Sequence, residues 1–587
     1  MMILAPLFAV AVAASPYQID LGRYFPNPAA ELASRGAALA ALDAFETQTS
    51  AQIATPRALA DWLGRYDALS KDLQKHDIYV YLRAEEDGDD KADAAADETL
   101  SLAIDRLRGA ATSTLGSVGD AKLHAFIDQD ASLRPYGYFI DHILSEAAHD
   151  GLNQKAVNAL AKPALDSFGV AYKTLRRQAL AKTPVDKSLA GRAAFEAKWA
   201  PYLQNEAAFA AVLLPLVAVQ NGKAKLQGYA DAPQAAYARA GLSSKEVDDV
   251  LAALRASDSD RRYHALITGV IAQKMHVVPA EAHSWDWPSI DAATPPPTAF
   301  PAAAALVLAA VKPMGAAYAR QYADLLEPAA RRVDWCNHPG CDKTGFSVGY
   351  AGAPSGLFYG AYDGSADSIR AVAHEAGHAA HRQFMTENQP LAVYNEGPHF
   401  LFESFAIFNE LLLLDHLSRA ADAPQAKAFY LHQFLEDITF QIYGSAEETD
   451  LEQSIYAGAQ SGQMRSAADL DQLTLAVFGR YEAAPEPETK VYWARNRLYF
   501  TDPLYDANYL FAGLLALEYW RQYEADPQAF SRRYVALLKA GMSDSPQALE
   551  RRFLDIDLDD AGALVGNATH LIDGRTAALS RLYATAQ

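Results

Sequence analysis

Long stretches of the chain place apolar residues three or four positions apart. This spacing puts the apolar side chains on one face of an α-helix. Proline, glycine, serine or aspartate stands at or near an end of each stretch, where helix termini favour these residues. The pattern therefore predicts a mainly α-helical chain, with helices over residues 29–47, 55–75, 97–115 and 201–220.

The helical spacing of apolar residues is lost between residues 345 and 362, where two short segments are rich in aromatic residues. Segments Gly345–Tyr350 and 356–362 are separated by Ala-Gly-Ala-Pro-Ser and predict two strands of a small sheet. Asp363-Gly364-Ser365 ends the second strand and supplies a helix N-cap. Candidate domain boundaries are the three prolines at 295–297 and the loop at 334–343.

Composition and charge describe an ordinary globular chain with an acidic surface. The 587 residues are 50% hydrophobic and 21% charged, and the net charge is −21. An acidic surface repels phosphate backbones, and no cluster of lysine or arginine interrupts it, so nucleic acid is not expected as a partner. With two cysteines the chain cannot be a disulfide scaffold.

The N-terminal segment 1–14 is apolar and uncharged, and Ala11 and Ala13 fit a small-residue cleavage site. It predicts a removed signal peptide and a periplasmic or secreted protein, although the first basic residue is Arg23. The alternative is a retained N-terminal segment in a cytoplasmic protein. Apolar runs at 207–219 and 299–311 are shorter than the roughly 20 residues of a membrane span, so none is predicted.

Cys336 and Cys341 flank an Asn-His-Pro-Gly turn. In an exported protein they favour a local disulfide. Two free thiols and a metal clip that includes His338 are the alternatives.

The main candidate chemistry is His374-Glu375-Ala376-Gly377-His378, which lies in an uninterrupted helical pattern. Histidines four residues apart share a helix face, so both imidazoles reach one ion about 2.0–2.1 Å away. Glu375 points beside that ion, where its carboxylate can take a proton from metal-activated water. The alternative is a helix whose histidines bind no metal.

A catalytic zinc site needs a third protein ligand. Glu403 lies 25 residues past His378 on a strongly apolar helical segment, where an unpaired carboxylate would be costly to bury. His399, one turn earlier, is a rival ligand. Glu410 returns to the same face and either fixes the tautomer of a ligand histidine or is a surface charge.

These residues closely resemble the zinc oligopeptidases of the oligoendopeptidase F and thimet oligopeptidase family. The resemblance rests on HEAGHAAH, the 25-residue interval, FLFESFAIFNELLLLDHL and YDANYLFAGLLAL, and extends over about residues 200–587. It implies a large, mainly helical, two-lobed fold with a deep channel, a small sheet next to the HExxH helix and one zinc ion per chain. It also implies internal cleavage of unfolded oligopeptides, because folded proteins cannot enter the channel.

The resemblance also assigns roles to individual residues. His374, His378 and Glu403 match the zinc ligands, and Glu375 matches the general base. Tyr505 and Tyr509 match tyrosines that face the scissile carbonyl and hydrogen-bond the developing oxyanion. The alternative for both tyrosines is that they only line the core. The predicted strand 356–362 is expected to pair with the substrate backbone; the substrate-contacting residues on it are Gly356, Phe358 and Gly360.

The chain departs from the family at one place, because family members carry a histidine where Tyr499 and Phe500 stand here. Arg497 or Tyr499 is expected to replace this donor, or transition-state stabilisation is weaker. A third family tyrosine is not evident, since Phe511 or Ala512 stands near its position.

The predicted organisation follows from the resemblance. Residues 15–199 form an N-terminal helical region that contributes to the channel wall, and residues 200–587 form the catalytic domain. Two other functions remain open: a zinc carboxypeptidase or dipeptidyl carboxypeptidase of the angiotensin-converting type, and a non-catalytic zinc-containing peptide-binding protein. A monomer is favoured.

Overall fold

A computed structural model describes residues 17–87, 90–149, 154–182, 189–290, 295–335, 345–350, 352–360, 362–482 and 485–585. The predicted signal peptide, Cys336, His338 and Cys341 lie outside these residues, so the expectations about them stay predictions.

The described N-terminal half is helical up to a small sheet, as its apolar spacing predicts. Each of several helices begins at a residue that accepts a hydrogen bond from the first turn, such as Thr55 before α2 and Asp90 before α3. The helices are α1 Pro28–Glu46, α2 Pro56–Glu86, α3 Lys91–Val118, α4 Asp120–Gln129, α5 Gly137–Ala148, α6 Gln154–Lys182, α7 Gly191–Leu203, α8 Glu206–Leu226, α9 Ala232–Arg239, α10 Ser244–Arg255, α11 Ser259–Met275, α12 Phe300–Val311 and α13 Ala316–Leu326.

The C-terminal half consists of the sheet followed by eleven helices in the described residues. A π-helical turn, Phe440–Gly444, joins the third and fourth of these helices. The elements are β1 Val333–Asp334, β2 Gly345–Tyr350, β3 Ala353–Tyr359, α14 Ala366–Asn388, α15 His399–Ala420, α16 Pro424–Thr439, α17 Ser445–Ser461, α18 Ala467–Phe478, α19 Tyr492–Arg495, α20 Leu498–Thr501, α21 Asp506–Ala525, α22 Pro527–Ala540, α23 Pro546–Leu554 and α24 Ala561–Thr585. The prediction of a mainly α-helical fold with a small sheet beside the HExxH helix is confirmed.

Three predicted helices differ from the observed ones in their length or bounds. The helix predicted over 97–115 is part of α3, which runs from Lys91 to Val118. The helix predicted over 55–75 continues as α2 to Glu86. The helix predicted over 201–220 is two helices, because α7 ends at Leu203 and α8 starts at Glu206.

Helix α8 is longer than the apolar sequence run at 207–219. By length and composition alone it is the one helix in the described ranges that would be able to cross a membrane. Buried core helices pass the same test, and Phe209, Leu213 and Val217 of α8 lie in the main core.

The buried side chains form two hydrophobic clusters. The smaller cluster is built by residues 19–25, by α1–α5 and the segments that connect them, and by Val348, Tyr350, Ala353 and Tyr394. The larger cluster extends from Tyr172 on α6 to Leu579 on α24 and includes Tyr17. The change of cluster therefore falls between α5 and α6, whereas the predicted division at 199/200 stays a prediction.

The sheet has the order β1-β3-β2, with β3 parallel to β1 and antiparallel to β2. The register pairs Val333 with Leu357 and Phe346 with Phe358. The strand predicted over 356–362 therefore starts three residues earlier and lies in the middle of the sheet. Edge strand β2 packs against α14, the helix that follows the sheet.

Candidate functional site

The candidate metal ligands come from two adjacent helices, α14 and α15. Ser365 caps α14 by accepting a hydrogen bond from the Ser368 backbone, as predicted from the sequence. One turn of this helix separates His374 from His378, and their Nε2 atoms lie 3.1 Å apart. Glu403 on α15 places Oε2 at 3.3 Å from Nε2 of His374 and at 3.7 Å from Nε2 of His378.

A glycine between the two histidines lets α14 and α15 approach closely. A Cβ atom on Gly377 would lie 3.0 Å from Cα of Ala406 and 2.9 Å from Nδ2 of Asn409. Cβ atoms in proteins essentially never come closer than 3.0 Å to such neighbours, so a larger residue at position 377 would force the helices to adjust. The close approach at Gly377 therefore brings Glu403 within reach of the histidine pair.

A row of charged side chains contacts His374 at Nδ1, the ring nitrogen that faces away from the other candidate ligands. Nδ1 of His374 lies 2.6 Å from Oε1 of Glu410, which is 4% exposed. Nη1 of Arg370 donates to Oε2 of Glu410 at 3.1 Å and also to Oδ1 of Asp437. Because Glu410 accepts a hydrogen bond from Nδ1–H of His374, the lone pair of that ring is on Nε2, which faces His378 and Glu403.

The three facing atoms fit a bound cation. Oε2 of Glu403 is buried and has no hydrogen-bond partner among the described residues. Bonds of about 2.0–2.1 Å at tetrahedral angles place two ligand atoms about 3.3–3.4 Å apart. The observed separations of 3.1, 3.3 and 3.7 Å bracket that value. In the described part of the chain, these are the only three His, Cys, Asp or Glu residues whose ligand atoms cluster in this way.

Electrostatics keep the carboxylate ligand ionised. Burial alone would raise the pKa of Glu403, but the neighbouring His374 and His378 rings outweigh it, so the pKa lies well below that of an ordinary glutamate. A carboxylate and two imidazole nitrogens form a donor set that suits zinc.

Glu375 lies beside these ligands and lines a cavity of about 400 Å³ with His374 and Tyr509. Burial raises the pKa of Glu375 above its ordinary value. Gly345, the first residue of β2, approaches it so closely that a Cβ atom there would lie 3.2 Å from Oε1 of Glu375. The carboxylate therefore has the position and the basicity that proton transfer requires.

The two predicted tyrosines lie at the start of α21 and make different contacts. Tyr505 donates from its hydroxyl to Oε1 of Glu403 at 3.2 Å. Tyr509 lines the cavity with Glu375, and the centres of the two tyrosine rings lie 5.3 Å apart. The exposed His399 is outside the ligand cluster, and its ring centre lies 5.3 Å from that of Tyr505.

Neither predicted replacement for the family histidine reaches the cavity. Tyr499 is fully buried, and its hydroxyl donates to the backbone oxygen of Glu448 at 2.7 Å. Arg497 instead hydrogen-bonds Thr501 and Asp502 at the surface. Phe511 and Ala512, near the position of the third family tyrosine, are both buried in the core.

The three residues predicted to contact substrate lie on or directly after β3, and their role stays a prediction. Gly356 and Phe358 lie in the central strand, where β2 pairs along one side and β1 occupies part of the other. Phe358 is 1% exposed and stacks on Phe346. Gly360 follows the end of the strand. The glycine that lies against Glu375 is Gly345, which the sequence analysis placed in a strand without assigning it to the site.

Sequence reasoning also missed Arg370 and Asp437. Arg370 lies four residues before His374, so the helical period places it on the same face of α14. That spacing is a usable signal. Asp437 lies on α16, 67 residues from Arg370 in sequence, and no local pattern connects the two.

Comparison with known proteins finds a family model that matches part of the chain. Residues 331–565 match the model described as Peptidase family M3. An oligoendopeptidase F homologue of Lactococcus lactis subsp. lactis is 24% identical over 412 residues, which cover 67% of this chain and 64% of the relative. The match thus spans less than two thirds of that relative.

Two solved structures share the fold of nearly the whole chain. A suggested peptidase from Chlamydophila abortus has a TM-score of 0.77 at 18% identity and covers 97% of this chain and 98% of its own. Oligoendopeptidase F from Enterococcus faecium has a TM-score of 0.65 at 16% identity and covers 94% of this chain and 98% of its own.

Proposed function

Because residues 331–565 match the model of peptidase family M3, we propose that the protein is a zinc-dependent endopeptidase of that family, which hydrolyses internal bonds of unfolded oligopeptides. The observation that carries the proposal is the convergence of His374, His378 and Glu403 beside the basic carboxylate of Glu375. The names of the relatives support an oligopeptidase, while the metal and the catalytic roles are our inference.

His374, His378 and Glu403 would hold the zinc ion. Bound zinc supplies Lewis acidity and lowers the pKa of a coordinated water to about 7. Glu410 accepts a hydrogen bond from Nδ1–H of His374 and keeps that ring in the orientation and tautomer needed for binding.

Glu375 acts as the general base and acid. Its carboxylate accepts the proton of the attacking water and then returns it to the nitrogen of the leaving amine. Burial raises its pKa, which makes it a better proton acceptor than an ordinary glutamate. The lack of a side chain at Gly345 lets β2 lie close to this carboxylate.

Tyr509 supplies the hydrogen bond to the oxygen that gains charge during the reaction. Its position in the Glu375 cavity supports this role. Tyr505 is engaged with Glu403, so we assign it first to holding that ligand and only second to contacting substrate.

The charges of the cavity favour an endopeptidase over a carboxypeptidase. A carboxypeptidase needs a cation for the substrate's terminal carboxylate. Of the described residues that line the catalytic cavity, the only lysine or arginine is Arg370, and it is bound by Glu410 and Asp437.

The non-catalytic alternative lacks a comparable observation. A purely structural zinc site needs no base beside the metal, yet Glu375 is kept at the edge of a cavity large enough to admit substrate.

The test compares the native protein with Glu375→Gln on internally quenched peptides of graded length. We expect equal zinc content in both and a loss of about 10²–10⁴-fold in kcat for the variant. The matched control is Glu98→Gln, because Glu98 is exposed on α3 and should not affect turnover.

Two substrates separate the alternatives. A peptide amidated at its C-terminus should be cut by an endopeptidase and resisted by a carboxypeptidase, and a folded protein should resist both. Equal activity of Glu375→Gln and the native protein would overturn the role of Glu375. Zinc and peptide binding without turnover in the native protein would favour the binding-protein alternative.

A further inference from the structure

The catalytic cavity adjoins a second cavity of about 620 Å³. Both are lined by Asp367, Arg370, Phe440 and Glu448, so together they form one space that extends away from Glu375. A substrate that occupies the catalytic cavity therefore has room for a long side chain beyond it.

Carboxylates dominate this space. Among the described lining residues of the two cavities, ten are aspartate or glutamate, whereas Lys198 and Arg370 are the only lysine or arginine. Arg370 is already neutralised by Glu410 and Asp437. The walls therefore carry many more acidic than basic side chains.

Asp506 is the residue of this wall whose hydrogen bonding is least complete. It is 1% exposed and lines the catalytic cavity, and its Oδ2 accepts a hydrogen bond from Nδ2 of Asn496 at 2.9 Å. Its Oδ1 is buried and has no hydrogen-bond partner in the described part of the chain. A buried carboxylate oxygen without a donor is costly, so this atom is an open acceptor at the cavity wall for a donor on a bound ligand.

Glu448 stands near Asp506 on the same wall. It is 8% exposed, and its Oε1 accepts a hydrogen bond from the hydroxyl of Tyr492. Burial and the charge of Asp506 raise the pKa of Glu448 to about 8, and burial raises that of Asp506 to about 7. Arg495 lowers the pKa of Glu448 and Arg497 lowers that of Asp506, but neither arginine offsets the effect of burial.

A compact metal ion does not match this wall. Among the described residues, His374, His378 and Glu403 form the only cluster whose ligand atoms lie close enough together to hold an ion. An ammonium or guanidinium group on a flexible stem requires no such cluster, because it carries several donors that reach separate carboxylates.

We propose that Glu448 and Asp506 bind the cationic side chain of a lysine or arginine close to the scissile bond, so that the enzyme selects basic oligopeptides. This inference rests on the proposed peptidase function. A free peptide N-terminus carries similar chemistry, but a cavity next to the cleavage point of an internal bond receives a side chain. The net charge of −21 also steers cationic peptides toward the protein.

The experiment uses quenched peptides that are acetylated at the N-terminus and amidated at the C-terminus. A single lysine is placed at each position around the cleaved bond and compared with norleucine, which has an uncharged stem. We expect one or two adjacent positions at which lysine raises kcat/KM about 10- to 100-fold, the gain expected of one charge-assisted contact.

Two isosteric variants then locate the effect. Asp506→Asn and Glu448→Gln should each lower the lysine-to-norleucine ratio toward one, mainly by slowing cleavage of the lysine peptide. Glu98→Gln should leave the ratio unchanged. If Asp506→Asn does not fold, the native ratio and Glu448→Gln still decide the matter.

The failures are distinguishable. Equal kcat/KM for lysine and norleucine at every position overturns the basic-residue site while leaving the peptidase intact. A preference that appears only in peptides with a free N-terminus also overturns it, in favour of terminus recognition. Absence of cleavage of every peptide contradicts the proposed function itself.

Discussion

Tyr505 donates a hydrogen bond of 3.2 Å from its hydroxyl to Oε1 of Glu403, while Oε2 of the same carboxylate faces His374 and His378. One phenol at the start of α21 thus holds a candidate ligand that α15 supplies. Burial and the charge of Glu403 both raise the pKa of Tyr505, so its hydroxyl remains a donor.

Tyr505→Phe removes this hydrogen bond and keeps the ring. We expect the affinity for zinc to fall about 10-fold or more, because partners that orient ligands typically contribute 10- to 100-fold. Competition with a chelator of known affinity measures the change. A variant with native zinc affinity and reduced kcat would instead show that Tyr505 acts on the substrate.

Tyr509→Phe should lower kcat and leave zinc affinity unchanged, the opposite of the effect expected for Tyr505→Phe. Its hydroxyl belongs to the substrate cavity rather than to a ligand, so zinc affinity should remain native. Loss of an oxyanion donor typically costs about 10²–10³-fold in kcat. Steady-state kinetics at saturating zinc tests this. A reduced kcat that excess zinc restores would contradict the assignment.

The ligand set could be predicted from the sequence because it depends on local spacing. Helical periodicity alone puts His374 and His378 on one face, and an apolar segment makes the carboxylate of Glu403 conspicuous. The resemblance to a known family then supplied Tyr505 and Tyr509, whose contacts join helices about 100 residues apart.

Other features could not be predicted because they depend on distant pairing. Strand β3 is central only because the two-residue strand β1 pairs with it, and no periodicity marks so short a strand. Tyr499 has a hydroxyl that could act as a donor, but it is buried and donates to the backbone of Glu448. That contact depends on tertiary packing and leaves no local sequence signal. The pairing of Arg370 with Asp437 on α16 could not be predicted for the same reason.

Glu410→Gln tests the chain of charges behind the metal ligands. The substitution removes the charge that holds the Nδ1 proton of His374 and leaves Arg370 with Asp437 alone. We expect zinc affinity to fall about 10- to 100-fold, with activity recovering at high zinc concentration. Zinc titration followed by peptide hydrolysis measures both. Native affinity would show that Glu410 has no orienting role.

Glu550 offers a prediction about stability and pH. It is fully buried, and Oε1 accepts a hydrogen bond from the hydroxyl of Tyr519 at 2.5 Å. Burial raises its pKa to about 8. Because the folded state binds this proton more tightly, the stabilisation is complete below the unfolded pKa of about 4.3 and is lost as the pH rises through 8.

Glu550→Gln should remove this dependence. The unfolding free energy of the variant, relative to native protein, should rise between pH 5 and 9 by up to about 3–5 kcal/mol, at about 1.4 kcal/mol per pH unit. Urea unfolding at several pH values measures the difference, with Glu98→Gln as the control. A difference that is constant across this range would show that Glu550 does not titrate there.

Gly377→Ala tests whether the close approach of α14 and α15 builds the ligand cluster. Alanine favours a helix over glycine by about 1 kcal/mol, so local propensity alone predicts stabilisation. The added Cβ, however, would lie 3.0 Å from Cα of Ala406, a backbone atom that cannot rotate away. The helices must separate, which moves Glu403 away from the histidine pair.

The matched control is Gly64→Ala on α2, where an added Cβ meets nothing within 4 Å. We expect Gly64→Ala to raise the unfolding free energy by up to about 1 kcal/mol and to leave zinc affinity native. Gly377→Ala should lower zinc affinity at least about 10-fold, the scale on which misplaced ligands act. Equal zinc affinity in the two variants would mean that the spacing of α14 and α15 does not determine the site.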